Sequence, residues 1–350
     1  MIKKITYSFL VLFVGFVLGM TWMIYDIQQF MSEKMTLPEE GLVIKVNQGS
    51  NLTRIAHQLH RQNIISKPRY MTWYARWTSQ ASKIHIGEYK LEAGATPLSF
   101  LESIAKGDVV QYSITIVEGW SFKQMMAILN ENEYIEHTLT KLSNEQIMRQ
   151  LGYGGEHPEG RFMPDTYHFP RGIKDHEVLK LAYQSMHNYI TKNWDGRDVG
   201  IPIKSPYEVL ILASIVEKET GLASERPEIA GVFSRRLIKR MRLQSDPTVI
   251  YGMGDRYKGN IRRRDLKSDN PYNTYRNFGL PPTPIAMPGR DAIDAVLKPK
   301  DGDALYFVAK GEGDGSHYFS ATLQEHNNAV IKYQLKGRKK PFSSYKPDKN

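Results

Sequence analysis

The hydrophobic pattern starts with a long, uncharged and mostly apolar run. From Ile5 to Tyr25 no side chain is charged, and about 20 apolar residues at about 1.5 Å of rise each cross the hydrocarbon core of a bilayer. Trp22 and Tyr25 stand where an interfacial aromatic belt belongs, Lys3 and Lys4 precede the run, and Asp26 is the first charge after it. This predicts a single-pass anchor over 1–25 with its N-terminus in the cytoplasm and the rest of the chain exported. No Ala-x-Ala-like cleavage site follows, which disfavours a signal peptide. Residues 26–41 are polar with a proline and read as a stalk.

From residue 42 a unit of strand, glycine turn and capped amphipathic helix recurs. It appears in "VIKVNQGSNLTRIAHQLHRQNII" with Leu52, Ile55 and Leu59 on one face, and again around Gly94, Thr96 and Pro97 with Leu98, Leu101 and Ile104 inward. A third copy follows Gly119 and Ser121, with Met125, Ile128 and Leu129 inward. The glycine spacings are too unequal for a solenoid. They predict a small α+β module over 42–110 and a mixed α+β domain over 111–335, opened by the third unit. The strand-Gly-Ser-helix order of the module resembles a LysM-like fold, a type associated with glycan binding. Within the second domain the pattern predicts a helix over 177–194 and two consecutive helices over 205–240, then loop-rich sequence dense in Asn, Pro, Gly and Tyr. A short helix at "DAIDAVL", strands at "ALYFVA" and "YFSA", and a last helix capped by Thr322 and Glu325 complete it. The basic tail 336–350 reads as disordered.

Composition narrows the function classes. With 350 residues, 41% apolar and 24% charged, most of the chain folds. The absence of cysteine removes thiol catalysis and cysteine-zinc sites. A net charge of +10 would suggest nucleic acid in a soluble chain, but the anchor redirects it to lipid headgroups and anionic polymers, and no nucleic-acid-binding signature is present.

The most informative chemistry lies at "SIVEKET", residues 214–220. Ser205 caps this helix, Pro206 opens it, Glu208 completes a capping box, and Gly221 supplies the stop. Val209, Leu212 and Val216 form the apolar stripe, and the next position on it is Glu219. Glu217 lies about 200° away, so the two carboxylates face different surroundings. Burial and the negative helix end both raise the pKa expected of Glu219, as a general acid requires. The competing reading is a helix-end carboxylate paired with a cation such as Arg226 or Arg235. Other candidates keep two readings as well. His57 and His60 lack an acidic third ligand and fit a polar helix face. Asp246 fits an ordinary Asx turn or a substrate contact. "PYNTY", with Tyr272, Asn273 and Tyr275, fits turn composition or a sugar cleft.

Taken in order, "VEGWSF", "MPDTYHFP", "ASIVEKETGLASERPEIAGVFSRRL", "MRLQSDPTVIYGMG", "YNTYRNFGLPP" and "IAMPG" resemble the endolytic murein transglycosylases, the YceG-like proteins, over essentially the whole chain. The resemblance implies an enzyme of the inner membrane, its bulk periplasmic, that cuts nascent peptidoglycan strands internally between N-acetylmuramic acid and N-acetylglucosamine and leaves 1,6-anhydro ends. It implies Glu219 as the catalytic residue, and Asp165, Asp246, Asn273 and Tyr275 as substrate-binding positions in the cleft. It implies no metal or diffusible cofactor, and proximity to cell-wall synthases as partners. Two alternatives stay open: an anchored, non-enzymatic peptidoglycan binder, and a muramidase using Asp246 or Asp165 as second carboxylate.

Overall fold

The computed structural model describes residues 2–47 and 49–335; the tail expected to be disordered lies outside the described residues. The chain is a mixed α+β protein that divides into two compact units, residues 1–112 with 168–172, and residues 113–167 with 173 onward.

The first unit begins with helix α1 (Ile2–Ser32), which from Tyr7 onward is long and apolar enough to cross a membrane. Strand β1 (Leu42–Val46), helices α2 (Leu52–Arg61) and α3 (Pro68–Trp77), strand β2 (Gly87–Leu91) and helix α4 (Pro97–Lys106) follow. β1 and β2 pair antiparallel with Ile44 opposite Tyr89, and Ile44, Val46, Tyr89 and Leu91 all turn inward. The side chains of Asn51 and Thr96 cap α2 and α4 by accepting from the backbone of Arg54 and Ser99. α3 falls between the two strand-turn-helix units, where Pro68 at its first turn is a recognisable start signal.

The segment expected to be a stalk is folded. α1 continues through Ser32, because Ile27, Phe30 and Met31 stand at i, i+3 and i+4 and are buried in the core of the unit with Met35. The Met35 N–H donates to the Ala95 carbonyl at 2.9 Å and the Thr36 N–H to that of Ile64 at 3.1 Å. Within α1 the polar Gln28, Gln29 and Ser32 are exposed, while Asp26 turns toward α3 and accepts from Lys67 and Tyr70.

Strand β3 (Gln111–Thr115) leads to helix α5 (Phe122–Glu131), strand β4 (Ile135–Glu136), helix α6 (Asn144–Leu151) and strands β5 (Thr166–Pro170) and β6 (Ile173–Lys174). β3 pairs with β5, and β4 pairs with β6 in parallel. Of the positions expected inward on α5, Met125 and Leu129 are buried but Ile128 is 38% exposed. Helices α7 (Asp175–Trp194), α8 (Pro206–Glu219), α9 (Arg226–Ile238), α10 (Asp246–Met253), α11 (Arg263–Leu266) and α12 (Arg290–Leu297) come next, then the antiparallel pair β7 (Tyr306–Ala309) and β8 (His317–Ser320), and α13 (Leu323–Tyr333).

α8 is the axis of the second unit. Every residue from Val209 to Val216 is buried, and α7, α9, α10 and α12 all pack on it. A helix apolar on all sides is stable only when surrounded in this way. At its start, the Ser205 hydroxyl accepts from the Glu208 N–H at 3.2 Å, while the Glu208 carboxylate reaches back one residue further, to the Lys204 N–H at 2.6 Å. At its end Thr220 turns extended (φ −144°, ψ 137°), so the stop comes from Thr220 and not from a left-handed Gly221.

Candidate active site

Glu219 occupies the last position of α8 and is part-buried. The Ser245 hydroxyl donates to its Oε1 at 2.5 Å. Ser245 is itself buried and held from several directions. Its N–H donates to Thr274 Oγ1 at 3.0 Å, and its carbonyl accepts from the Thr248 hydroxyl at 2.7 Å. The preceding residue, Gln244, has φ +52°, a left-handed conformation uncommon outside glycine, and its N–H donates to the Thr274 carbonyl at 3.1 Å. The segments 244–248 and 273–275 are thus fastened to each other behind Glu219.

On the open side, Asp246 is exposed in the first turn of α10, and the Tyr275 hydroxyl donates to its Oδ1 at 2.6 Å. The turn expected at Asp246 and Pro247 is in fact this helix start, with Ser245 at the cap position; Ser-Asp-Pro carried that signal. Arg236 of α9 is buried nearby, with Nε donating to the Leu305 carbonyl at 2.6 Å and Nη1 to that of Leu243 at 2.7 Å.

Burial pushes the Glu219 carboxyl up to about 7, helped by the charge of Asp246 and opposed by the Ser245 hydrogen bond and the Arg236 charge. Burial and the Asp246 carboxylate likewise raise the Tyr275 phenol, which stays a proton donor.

Glu217 meets different surroundings. The buried Arg226 guanidinium lies 2.8 Å from its Oε1, and the Gly289 N–H donates to its Oε2 at 3.0 Å. Arg226 also reaches Glu118 at 3.3 Å and Asp291 at 3.5 Å. Burial raises the Glu217 carboxyl, against the Gly289 N–H and the Arg226 charge. The cation considered as a partner for Glu219 therefore belongs to Glu217. Arg235, the other one considered, sits 3.7 Å from Glu228 and donates to the carbonyls of Lys300 and Ala304.

Of the positions expected in the cleft, the structure gathers Asp246 and Tyr275 around Glu219. Asn273 is only 1% exposed and does not line a cleft. Its amide donates to the carbonyls of Leu266 and Ser268, and its Oδ1 accepts from the Tyr275 N–H at 3.1 Å, so it shapes the loop that presents Tyr275. Asp165 pairs with Arg290 at 3.0 Å, next to the Gly289 that binds Glu217.

Glu159 gives a useful contrast. Its carboxyl is also pushed up to about 7 by burial, yet it is 4% exposed, with Oε1 accepting from the Phe122 N–H and Oε2 from the Tyr251 hydroxyl. A raised pKa alone does not mark a reactive group; Glu219 adds an open neighbour carrying a second carboxylate. His57 and His60 remain exposed on α2, and among the described residues no group of three His, Asp or Glu side chains could hold a metal ion.

The model of the YceG-like family matches residues 44–332. The chain belongs to the YceG-like family. This YceG-like chain is 32% identical over 311 residues to the endolytic murein transglycosylase of Bacillus subtilis, covering 83% of itself and 84% of that protein. It is 27% identical over 327 residues to the endolytic murein transglycosylase of Streptococcus pneumoniae, of which it spans 58%. A crystal structure of a YceG-like protein from Listeria monocytogenes superposes with a TM-score of 0.53 at 27% identity, covering 83% of this chain and 99% of that one.

Proposed function

We propose that the chain is an endolytic murein transglycosylase in which Glu219 gives and then takes back one proton. The observation that carries this is a part-buried carboxyl held near neutrality, bound on one oxygen by Ser245 and unpaired with any cation among the described residues. Relatives named for this activity, matched over most of this chain, support the reaction class.

With Oε1 accepting from Ser245, the proton sits on Oε2. It passes to the glycosidic oxygen as the bond from the muramic acid anomeric carbon breaks. The carboxylate then removes the proton from the C6 hydroxyl of the same sugar as that oxygen closes on the anomeric carbon. The 1,6-anhydro ring forms, Glu219 is protonated again, and no water is consumed. Asp246, aimed by Tyr275, supplies negative charge for the oxocarbenium-like centre.

The remaining assignments belong to the same reading. α1 anchors the chain in the inner membrane, with Lys3 and Lys4 on the cytoplasmic side and both units periplasmic. The β1-α2-α3-β2 order, with its antiparallel strand pair, supports a LysM-like, glycan-binding module in the first unit. The partners are peptidoglycan strands and, nearby, cell-wall synthases; a pull-down of the full chain that retains no synthase would remove the latter.

The presence of Asp246 beside the acid favours one other reading, a muramidase with Asp246 as base or nucleophile. Incubating the chain with purified peptidoglycan and reading the released ends by mass spectrometry decides between them. Anhydro ends, lost in Glu219→Gln, are expected. Reducing ends would make the chain a hydrolase, and no release despite binding would leave a binder.

A further inference from the structure

Helix α3 is amphipathic in an unusual sense. Met71, Thr72 and Ala75 face the core of the first unit, while Arg69, Trp73, Arg76 and Trp77 are exposed at i, i+4, i+7 and i+8. Trp73 is 44% and Trp77 66% exposed. An outward stripe of alternating arginine and tryptophan is poorly suited to water, since each indole leaves a large apolar surface wet. It suits the boundary of a bilayer, where indoles settle at headgroup level and guanidinium groups meet lipid phosphates.

The position of α3 relative to α1 argues for that boundary. Lys67 Nζ and the Tyr70 hydroxyl both donate to the Asp26 carboxylate, at 2.8 and 2.9 Å, and Asp26 is the first charge after the apolar run. Phe30 meets Tyr70 edge-on at 5.9 Å between ring centroids, and Trp73 stacks on the Tyr70 ring at 5.8 Å. The core of the unit reaches back along α1 to Met23, about 4.5 Å further into the apolar segment than Asp26 at about 1.5 Å per residue. Trp22 and Tyr25, at 67% and 63% exposure, stand on α1 at the same level. Because α1 enters the unit as one unbroken helix, the unit cannot swing away from the bilayer as it would on a flexible stalk.

We infer that α3 is an interfacial helix, lying on the surface of the bilayer that α1 crosses, with Trp73 and Trp77 among the headgroups and Arg69 and Arg76 on anionic lipid phosphates. The inference rests on the reading of α1 as a membrane anchor. Charge favours this occupant, since both arginines sit on the stripe of a chain carrying +10 overall. The first unit then lies against the membrane surface.

The absence of native cysteine makes the test direct. Single-cysteine variants of the full chain, Trp73→Cys and Trp77→Cys, are spin-labelled and reconstituted in phosphatidylethanolamine bilayers containing phosphatidylglycerol. Oxygen and nickel-chelate accessibilities are then compared with Val14→Cys on α1 and Val199→Cys on the fully exposed surface of the second unit. The expected result is an oxygen-to-nickel ratio at 73 and 77 several-fold above that at 199 and below that at 14. Water-like ratios at 73 and 77 with a lipid-like ratio at 14 would overturn this inference alone; a water-like ratio at 14 would overturn the anchor as well. Labels that stay water-like but become immobilised when glycan strands are added would mean a sugar-binding face instead. As a check without cysteine, the Trp73→Phe/Trp77→Phe double variant should lose most of the indole emission that brominated lipids quench. An unchanged quenched fraction, carried by Trp22, would count against the proposal.

Discussion

The two sides of the last turn of α8 place chemically identical groups in opposite situations. On one side Glu217 is tied to the buried Arg226 and the Gly289 backbone, inside a cluster that includes Glu118 and Asp291. On the other, Glu219 receives one hydroxyl hydrogen bond and faces a second carboxylate, Asp246, across Ser245. Both are withdrawn from water, but only Glu217 has an ion pair to offset that withdrawal. A carboxylate with its charge neutralised by a fixed cation is a structural element. One left without a cation keeps a proton near neutrality and can part with it.

The largest effect that tests this contrast is catalytic. Glu219→Gln should lower anhydro-product release by roughly 10³-fold, within the range for removing a general acid–base group, while folded Glu217→Gln stays within about tenfold of the parent. Equal losses in both variants would mean that the two carboxylates work as one unit.

Stability should reverse that order. Glu217→Gln removes the closest counter-charge of Arg226, whose side chain is 7% exposed, and leaves it Glu118 and Asp291. A loss of about 2–3 kcal/mol in denaturant unfolding is expected, somewhat under the ~3–5 kcal/mol for orphaning a buried charge entirely. A loss under half of that would show the cluster to be redundant.

Glu219→Gln should instead stabilise the fold, and only above a certain pH. The folded carboxyl titrates near about 7 and the unfolded one near the ordinary 4.5, so the folded state holds the extra proton between those values. Stability from this group is fully present below the unfolded pKa and falls as pH rises through the folded one. The variant should therefore gain up to about 3 kcal/mol over the parent in mildly alkaline buffer and nothing in acid. Thermal melts of both proteins across that range give the sign directly.

The smallest effect concerns Ser245. Its hydroxyl favours the ionised form of Glu219, so Ser245→Ala should move the alkaline limb of the activity profile upward by about one pH unit, with a rate loss of about tenfold at most. A lowered rate with an unmoved limb would reduce Ser245 to a packing residue.

These contrasts are unevenly legible in the sequence. The stripe of Val209, Leu212 and Val216 is a local property, read at 3.6 residues per turn, and all three are buried. The run of Ile27, Phe30 and Met31 carried an equally local signal that the polar residues around it obscured, and so did Ser-Asp-Pro at the start of α10. Arg226 offered no such signal: nine residues from Glu217 and seven from Glu219, it could have served either.

By itself, then, the sequence determined the apolar span, the Ser and Thr helix N-caps, the burial of α8 and the family motifs, because these follow from the spacing of residues along the chain. The tertiary structure alone decided which glutamate holds Arg226, that Ser245 reaches Glu219 across 26 positions, and that Gly289 reaches Glu217 across 72. Hydrogen bonds and ion pairs of that reach exist only after the helices have packed. Whether a buried carboxylate is paired or left to titrate depends on those partners, not on its neighbours in the chain.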